Sequence, residues 1–365
     1  MAPAPRDRHD IVRERLARQR LIGKPFQRAE QVVSWHLAMQ SQDFGGAKWA
    51  IGQRLASATD AQVEAAFARG SLLRTHVLRP TWHFVSPADV RWLLELTAPR
   101  IRAFSRPYFR KFGLDAAALK RSRRVLEKSL QGGRQLTRDE LSAALGAAGL
   151  PVKGEALTYQ MISAELDALI VSGPRRGKQH TYALLEERVP SSAPRSRDEA
   201  LAELSLRYLQ SHGPALAHDL AWWAGLTIAD AKRGIAACAR QLESASVDGK
   251  TYWRVAGRRA APLARPVVRL LPNYDEQLIA YRYRGNAVDA VVSPRPGRGV
   301  FDGHLVLIDG LLVGGWRRDL GASQVQVSVK LLRRLSRAER RALGEEAARY
   351  ARFLGLKLEL LLRER

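Results

Sequence analysis

The chain has 365 residues, 46% of them apolar, with 60 Lys and Arg against 36 Asp and Glu and a formal net charge of +24. That size predicts two or three domains with sizeable cores and excludes wholesale disorder. No stretch supplies the roughly 20 apolar residues of a membrane-spanning helix, Met1 to Arg20 alternates charge without the apolar core of a signal peptide, and the single cysteine, Cys238, excludes an internal disulfide and a cysteine-based zinc site. So much positive charge attracts polyanions. Nucleic acid is favoured over an anionic membrane surface, in a bacterial-type cytoplasm or nucleoid, although arginine-rich usage throughout would give part of the same excess.

In chain order, three stretches read as helix, turn, helix and then a two-stranded hairpin with a basic tip, the pattern of a winged helix. In the first, Ala29 to Met39 reads as a helix with Val33 and Leu37 on one face, Ala47 to Leu55 as a second, and Thr59 to about Gly70 as a third. Strands Leu73–Leu78 and Thr81–Val85 follow, joined through Arg79-Pro80, and Ser86-Pro87 opens another helix. In the second stretch, Thr137 and Glu140 have capping-box spacing for a helix to about Ala147. Gly149-Leu150-Pro151 breaks it, a longer helix runs from Glu155 to Ile170, and Arg175, Arg176 and Lys178 lie in the tip between two short strands. Such a tip suits phosphate contacts, with a solvated turn as the equal alternative. A linker with Pro190, Pro194 and Ser191, Ser192 and Ser196 precedes the third stretch. There Pro214 opens a helix with Leu216, Leu220 and Trp223, and Gly225 ends it. Thr227 and Asp230 start a second helix with Lys232 and Arg233 on polar positions, and Ser246–Val255 forms a hairpin about Asp248-Gly249.

After Pro262 the pattern changes. Val267–Leu271, Leu305–Ile308, Leu311–Trp316 and Val325–Val329 read as strands, with a hairpin turn at Asp309-Gly310. Ser336 begins a charged helix to about Leu354, and Leu356–Leu361 reads as a last strand. The expected fold is α+β, with tandem winged-helix (helix-turn-helix) domains over residues 1–115, 116–190 and 195–261 and a C-terminal β-rich α+β cap over 262–365.

Five stretches carry a resemblance. They are Met39-Gln40-Ser41-Gln42-Asp43 with Ala47-Lys48-Trp49-Ala50; Arg74-Thr75-His76 through Thr81-Trp82-His83-Phe84-Val85; Asp219 to Gly225 with its Trp222-Trp223 pair; Leu271-Pro272 with Asp275-Glu276; and Val313-Gly314 with Trp316-Arg317-Arg318. In this order, over most of the chain, they resemble the bacterial winged-helix DNA glycosylases of the AlkZ/AlkX type. The resemblance implies tandem winged helices around a concave basic surface that holds duplex DNA. It also implies removal of bulky or crosslinking alkyl groups carried on purines, through two glutamines separated by one residue. That motif falls on Gln40 and Gln42; the family commonly has an aliphatic residue between them, and this chain has Ser41.

Two neutral amides suffice for such chemistry. An N7- or N3-alkylated purine already carries positive charge and leaves readily, through an oxocarbenium-like state. An amide can place a water under the anomeric carbon and align its dipole with the developing cation. No metal and no cofactor is required. Residues two apart share a face in extended chain but not on a helix. The amides therefore act together only if the helix ends near Met39 or Gln40, which Asp43-Phe44-Gly45-Gly46 allows; otherwise both would simply cap a helix.

Other candidates have two readings each. Arg74 and Arg79 suit DNA phosphates or a carboxylate partner. His83 and His76 suit a phosphate, a groove or a catalytic water, or plain packing. Trp222-Trp223 suits base stacking, but its place in the first helix of a helix-turn-helix favours core. Asp275 and Glu276, adjacent in a turn, favour a structural or DNA-orienting role over acid–base catalysis. Asp302, His304 and Asp309 are spaced too far apart for a metal site. The leading expectation is a monofunctional glycosylase leaving an abasic site, since Lys48 near the motif does not compel a lyase. The alternatives are a non-catalytic winged-helix DNA-binding or regulatory protein, which has no need of the glutamine motif, and an architectural nucleoid protein. Three different winged helices favour a monomer on one damaged duplex over a dimer on a palindrome.

Overall fold

The computed structural model describes residues 7–257, 260–284, 287 and 303–364; Asp302 lies outside them. Helix α1 (Arg8–Arg18), which sequence patterning missed, precedes α2 (Ala29–His36), β1 (Ala38–Gln40), α3 (Phe44–Gly52), α4 (Asp60–Ala68), β2 (Leu73–His76), β3 (Trp82–Val85) and α5 (Val90–Lys111). Next come α6 (Ala116–Leu130), β4 (Leu136–Thr137), α7 (Arg138–Ala147), α8 (Ala156–Leu166), β5 (Ile170–Ser172), β6 (Thr181–Leu184) and α9 (Leu185–Arg188). Then follow α10 (Arg197–His212), α11 (Ala217–Ala224), α12 (Ile228–Ala237), β7 (Leu242–Val247) and β8 (Lys250–Val255). The C-terminal region holds β9 (Val268–Leu271), α13 (Glu276–Ile279), β10 (His304–Ile308), β11 (Leu311–Leu320), β12 (Gln324–Leu331), α14 (Arg337–Leu354) and β13 (Lys357–Arg363). The fold class is mixed α+β.

Local chemistry sets most boundaries. Thr59, Thr137 and Ser336 accept from the third backbone N–H of their helices while the Gln or Glu there reaches back, closing capping boxes. Thr227 accepts from the Asp230 N–H. Two expected helices end early. The one expected to reach Met39 stops at His36, because Leu37 takes φ 69° and turns the chain into a strand. Few side chains adopt that conformation; Leu37 is held in it by complete burial. The helix expected to reach Ile170 stops at Leu166, Ala168 turns at φ 52°, and Ile170 starts β5. Helix α3 starts at Phe44 rather than Ala47, because the Asp43 side chain caps it through the Gly46 N–H.

One strand arrangement recurs. The first sheet has the order β1-β3-β2 and the second β4-β6-β5; in both, a short leading strand pairs with the second hairpin strand. In the third, Ala215 makes a single antiparallel bridge to Trp253 of β8, beside the β7–β8 pair. The C-terminal sheet runs β13-β12-β11-β10-β9, with β12 and β13 parallel.

The cores cross these stretches. Leu37 and Ala38 share one buried cluster with β2, α5, α8, α10, α11, α12 and Tyr281. Residues of α2, α3 and α4 share another with the C-terminal sheet and α14. Trp49 sits at that junction, edge-on to Tyr350, its indole N–H donated to the Leu270 carbonyl at 2.8 Å. The segment Gln40–Gln42 therefore runs between two cores. Among the described residues, no helix is long and apolar enough to cross a membrane.

Candidate active site

Beyond Leu37 the chain is extended, and Gln40 pairs with His83 across the β1–β3 ladder. The Ser41 N–H continues it, donating to the Trp82 carbonyl at 2.8 Å. There the ladder stops. The Ser41 carbonyl accepts from Arg74 Nε at 3.2 Å, and the Trp82 N–H meets Gln42 Oε1 at 3.4 Å. Two-residue alternation puts Gln40 and Gln42 on one side and Ser41 on the other. Gln40 is half-buried, Gln42 exposed and Ser41 completely buried. The Ser41 hydroxyl has no hydrogen-bond partner among the described residues.

A buried carboxylate fixes this segment from behind. Glu276 Oε1 accepts the Gln40 N–H at 2.8 Å, and Oε2 accepts the Trp223 indole N–H at 2.9 Å. Burial by itself raises the Glu276 carboxyl; His212, 3.6 Å away, and the Gln40 N–H outweigh it and bring it below its ordinary value. Beside it, Asp275 makes a two-pronged ion pair with Arg54, both bonds 2.9 Å and both side chains fully buried. The adjacent acids thus diverge, one to the helix core and one to the glutamine segment.

His83, the cross-strand partner of Gln40, is fully buried. Burial first, then the Arg79 charge, lower it to about 3. It is neutral, with Nδ1–H donated to the Thr81 carbonyl at 2.9 Å, so Nε2 presents a lone pair that no group among the described residues meets. Arg79 Nη2 is 3.5 Å from Gln40 Oε1. On the other side Asp43 pairs with Arg318 at 3.2 Å, which ties the end of the segment to the C-terminal sheet.

The profile of the family described as DNA glycosylase AlkZ-like matches residues 33–353, most of the chain and all of the site. The chain belongs to the AlkZ-like DNA glycosylase family. Its fold is similar to that of the solved Streptomyces sahachiroi DNA glycosylase AlkZ, with a TM-score of 0.80 and 22% identity over 99% of this chain and 100% of that one. No curated protein matches. As an AlkZ-like glycosylase the chain has DNA as its substrate class.

The remaining sequence candidates are dispersed over this AlkZ-like scaffold. Arg74 is buried, its guanidinium 4.1 Å from the Trp82 ring centroid, and braces Ser41. His76 is buried against Glu165. Arg175 pairs with Glu64 at 3.1 Å. Exposed Arg176 makes two bonds of 2.9 Å to Glu140, which hold that carboxyl down at about 2. Lys178 is exposed at the tip. On α12, Arg233 pairs with Asp198 at 2.7 Å, while Lys232 lines a cleft of about 820 Å³ with Lys250, Arg282 and Trp253. A second cleft of about 920 Å³, on the C-terminal sheet, is lined by Arg317, Lys330 and Arg363. Neither includes Gln40 or Gln42. Lys48, near in sequence, is buried and bonded to Asp60 and Glu64 at 2.7 Å. Among the described residues, no cluster of His, Cys, Asp and Glu could hold a metal ion.

Sequence reasoning treated Trp222 and Trp223 as a pair; the structure separates them. Trp223 is core and Trp222 is exposed. A helical period places neighbours about 100° apart, so one had to turn away, but only the packing of α11 shows which. The grip of Glu276 on Gln40 has no local signal at all.

Proposed function

We propose that this chain hydrolyses the N-glycosidic bond of alkylated purines in duplex DNA, with Gln40 and Gln42 as the catalytic pair. The carrying observation is the extended segment after Leu37, which sets both amides on one side of β1, with neutral His83 as the cross-strand partner of Gln40. In the reaction a water oxygen bonds to C1′ of the nucleotide. The C1′–N9 electron pair leaves with the purine, whose positive charge is thereby neutralised, and the water proton passes to solvent. Gln40 and Gln42 orient the water and turn their amide dipoles to the oxocarbenium-like centre. The outcome is an abasic site without strand cleavage. The closest lysine in sequence, Lys48, is held by two carboxylates, which supports hydrolysis over a lyase step.

The recurrent strand order supports reading the three stretches as winged helices, bounded as 1–115, 116–190 and 195–261, with 262–365 as the cap. Their continuous cores support a monomer that wraps one duplex. The exposure of Gln42 supports access for bulky N7 and N3 adducts, crosslinked ones included. Lys178, Lys232 and Arg79 are the phosphate contacts the geometry favours, with Arg175, Arg176 and Arg233 already facing carboxylates. Arg74, bonded to the Ser41 carbonyl, and His83, paired with Gln40, support the segment.

The test is release of base from duplex DNA carrying a defined N7-alkylguanine. Abasic sites above spontaneous depurination, lost in Gln40→Ala/Gln42→Ala with DNA affinity intact, are expected. Salt-dependent binding with no release from small, bulky or crosslinked adducts would leave only a winged-helix DNA binder.

A further inference from the structure

Trp222 is 38% exposed, although tryptophan is usually well buried. A hydrogen bond from Nε1–H to the Ile279 carbonyl at 3.2 Å holds the ring in place. The guanidinium carbons of Arg79 and Arg282 lie 5.6 and 5.8 Å from its centroid. Arg79 and Arg282 thus lie within cation–π reach of an indole that keeps part of its surface exposed.

The ring is fixed relative to the glutamines. Gly225 ends α11 in the left-handed region at φ 63°, and a Cβ there would lie 2.0 Å from the Leu78 carbonyl oxygen. The end of α11 thus presses on the β2–β3 turn that carries Arg79. Arg79 in turn reaches Gln40 Oε1, and Glu276 holds both Gln40 and Trp223. One guanidinium links the exposed indole to the proposed catalytic amide within a rigid frame.

A partly exposed indole beside two guanidiniums matches one nucleotide, with the base on the ring and its phosphates on the cations. We propose that Trp222, Arg79 and Arg282 form a nucleotide-binding site in which the indole stacks on a nucleobase of the substrate strand beside Gln40. The site rests on the DNA glycosylase reading for its ligand, but not on the base-release step.

The test uses the full chain and a duplex with a single 2′-fluoro-stabilised N7-methylguanine, which resists base loss. Affinity is measured by fluorescence anisotropy for the unaltered protein, Trp222→Ala and Trp222→Phe, with melting temperatures as the control for folding. Each base near the lesion, and the lesion itself, is replaced in turn by an abasic tetrahydrofuran residue. Trp222→Ala weakens binding roughly 5- to 100-fold, as expected for one lost stack, and Trp222→Phe recovers most of it. At one position the abasic duplex erases the difference between Trp222→Ala and the unaltered protein. A loss of affinity that persists at every abasic position, or no loss, overturns the proposal. If coupling appears but no alkylbase is ever released from a cleavable substrate, the stacking site stands and the hydrolase reading falls. The converse result removes only the stacking site.

Discussion

The Glu276 carboxylate accepts the Gln40 backbone N–H at 2.8 Å, across 236 residues of sequence. Its other oxygen takes the Trp223 indole N–H, so a single buried group joins the C-terminal region, α11 and β1. Glu276→Gln keeps the shape but turns an NH2 group toward one of those donors. The loss of one buried acceptor lowers unfolding free energy by about 1–3 kcal/mol. Base release falls further than DNA affinity, because the displaced group positions Gln40. Urea titration, single-turnover kinetics and anisotropy separate the three effects. Equal losses in release and affinity would remove Glu276 from the positioning of the site.

Arg54 and Asp275 form a fully buried two-pronged pair next to that carboxylate. Asp275→Ala leaves an uncompensated guanidinium in the core, which costs about 3–5 kcal/mol. Chemical denaturation measures it. A loss under 1 kcal/mol would mean that water reaches Arg54.

His83 is held at about 3, against an ordinary 6.5. Between those values the unfolded chain binds more protons than the folded one, so stability rises with pH. The contribution is complete above 6.5 and is lost as pH falls toward 3, by roughly 1.4 kcal/mol per pH unit. His180, lowered to about 4 by burial and then by Arg74, adds in the same direction. The urea midpoint should therefore drop from pH 6.5 to 5, with a shallower slope for His83→Gln. An unchanged slope in that variant would show that His83 protonates without opening the fold.

Ser41 occupies a completely buried position, its hydroxyl without a hydrogen-bond partner among the described residues. Removing such a group relieves a desolvation penalty. Ser41→Ala should raise unfolding free energy by about 1 kcal/mol and leave base release within about twofold, since the side chain points away from the glutamines. Destabilisation would reveal a bound water bridging the hydroxyl.

Salt dependence sorts the cations. Lys178 and Lys232 are exposed, whereas Arg176 and Arg233 face Glu140 and Asp198. Replacing either lysine by alanine should reduce the slope of log affinity against log salt by about one. Replacing either arginine should reduce it by less, because its charge is already countered. Four equal changes would show that DNA displaces both carboxylates.

By itself the sequence determined what short-range chemistry controls. Thr137 with Glu140, Thr227 with Asp230, and Ser336 mark helix starts that the structure retains. Asp248-Gly249 and Asp309-Gly310 make the hairpin turns, all four residues at positive φ as tight turns between twisted strands require. The motif stretches were likewise legible, and with them the family. What only the tertiary structure decided are the relations between distant segments. Leu37 ends α2 ahead of the periodic pattern because its side chain is seated in a core shared with α5 and α10. Trp222 and Trp223 share one helix, yet one is exposed and the other buried, according to which elements pack on α11. Asp275 and Glu276 are adjacent in a turn, yet one grips Arg54 and the other Gln40. Capping and turn preferences act over a few bonds, so a sequence window contains both partners. Burial and ion pairing depend on which surfaces meet once the chain has folded, and no local window contains that information.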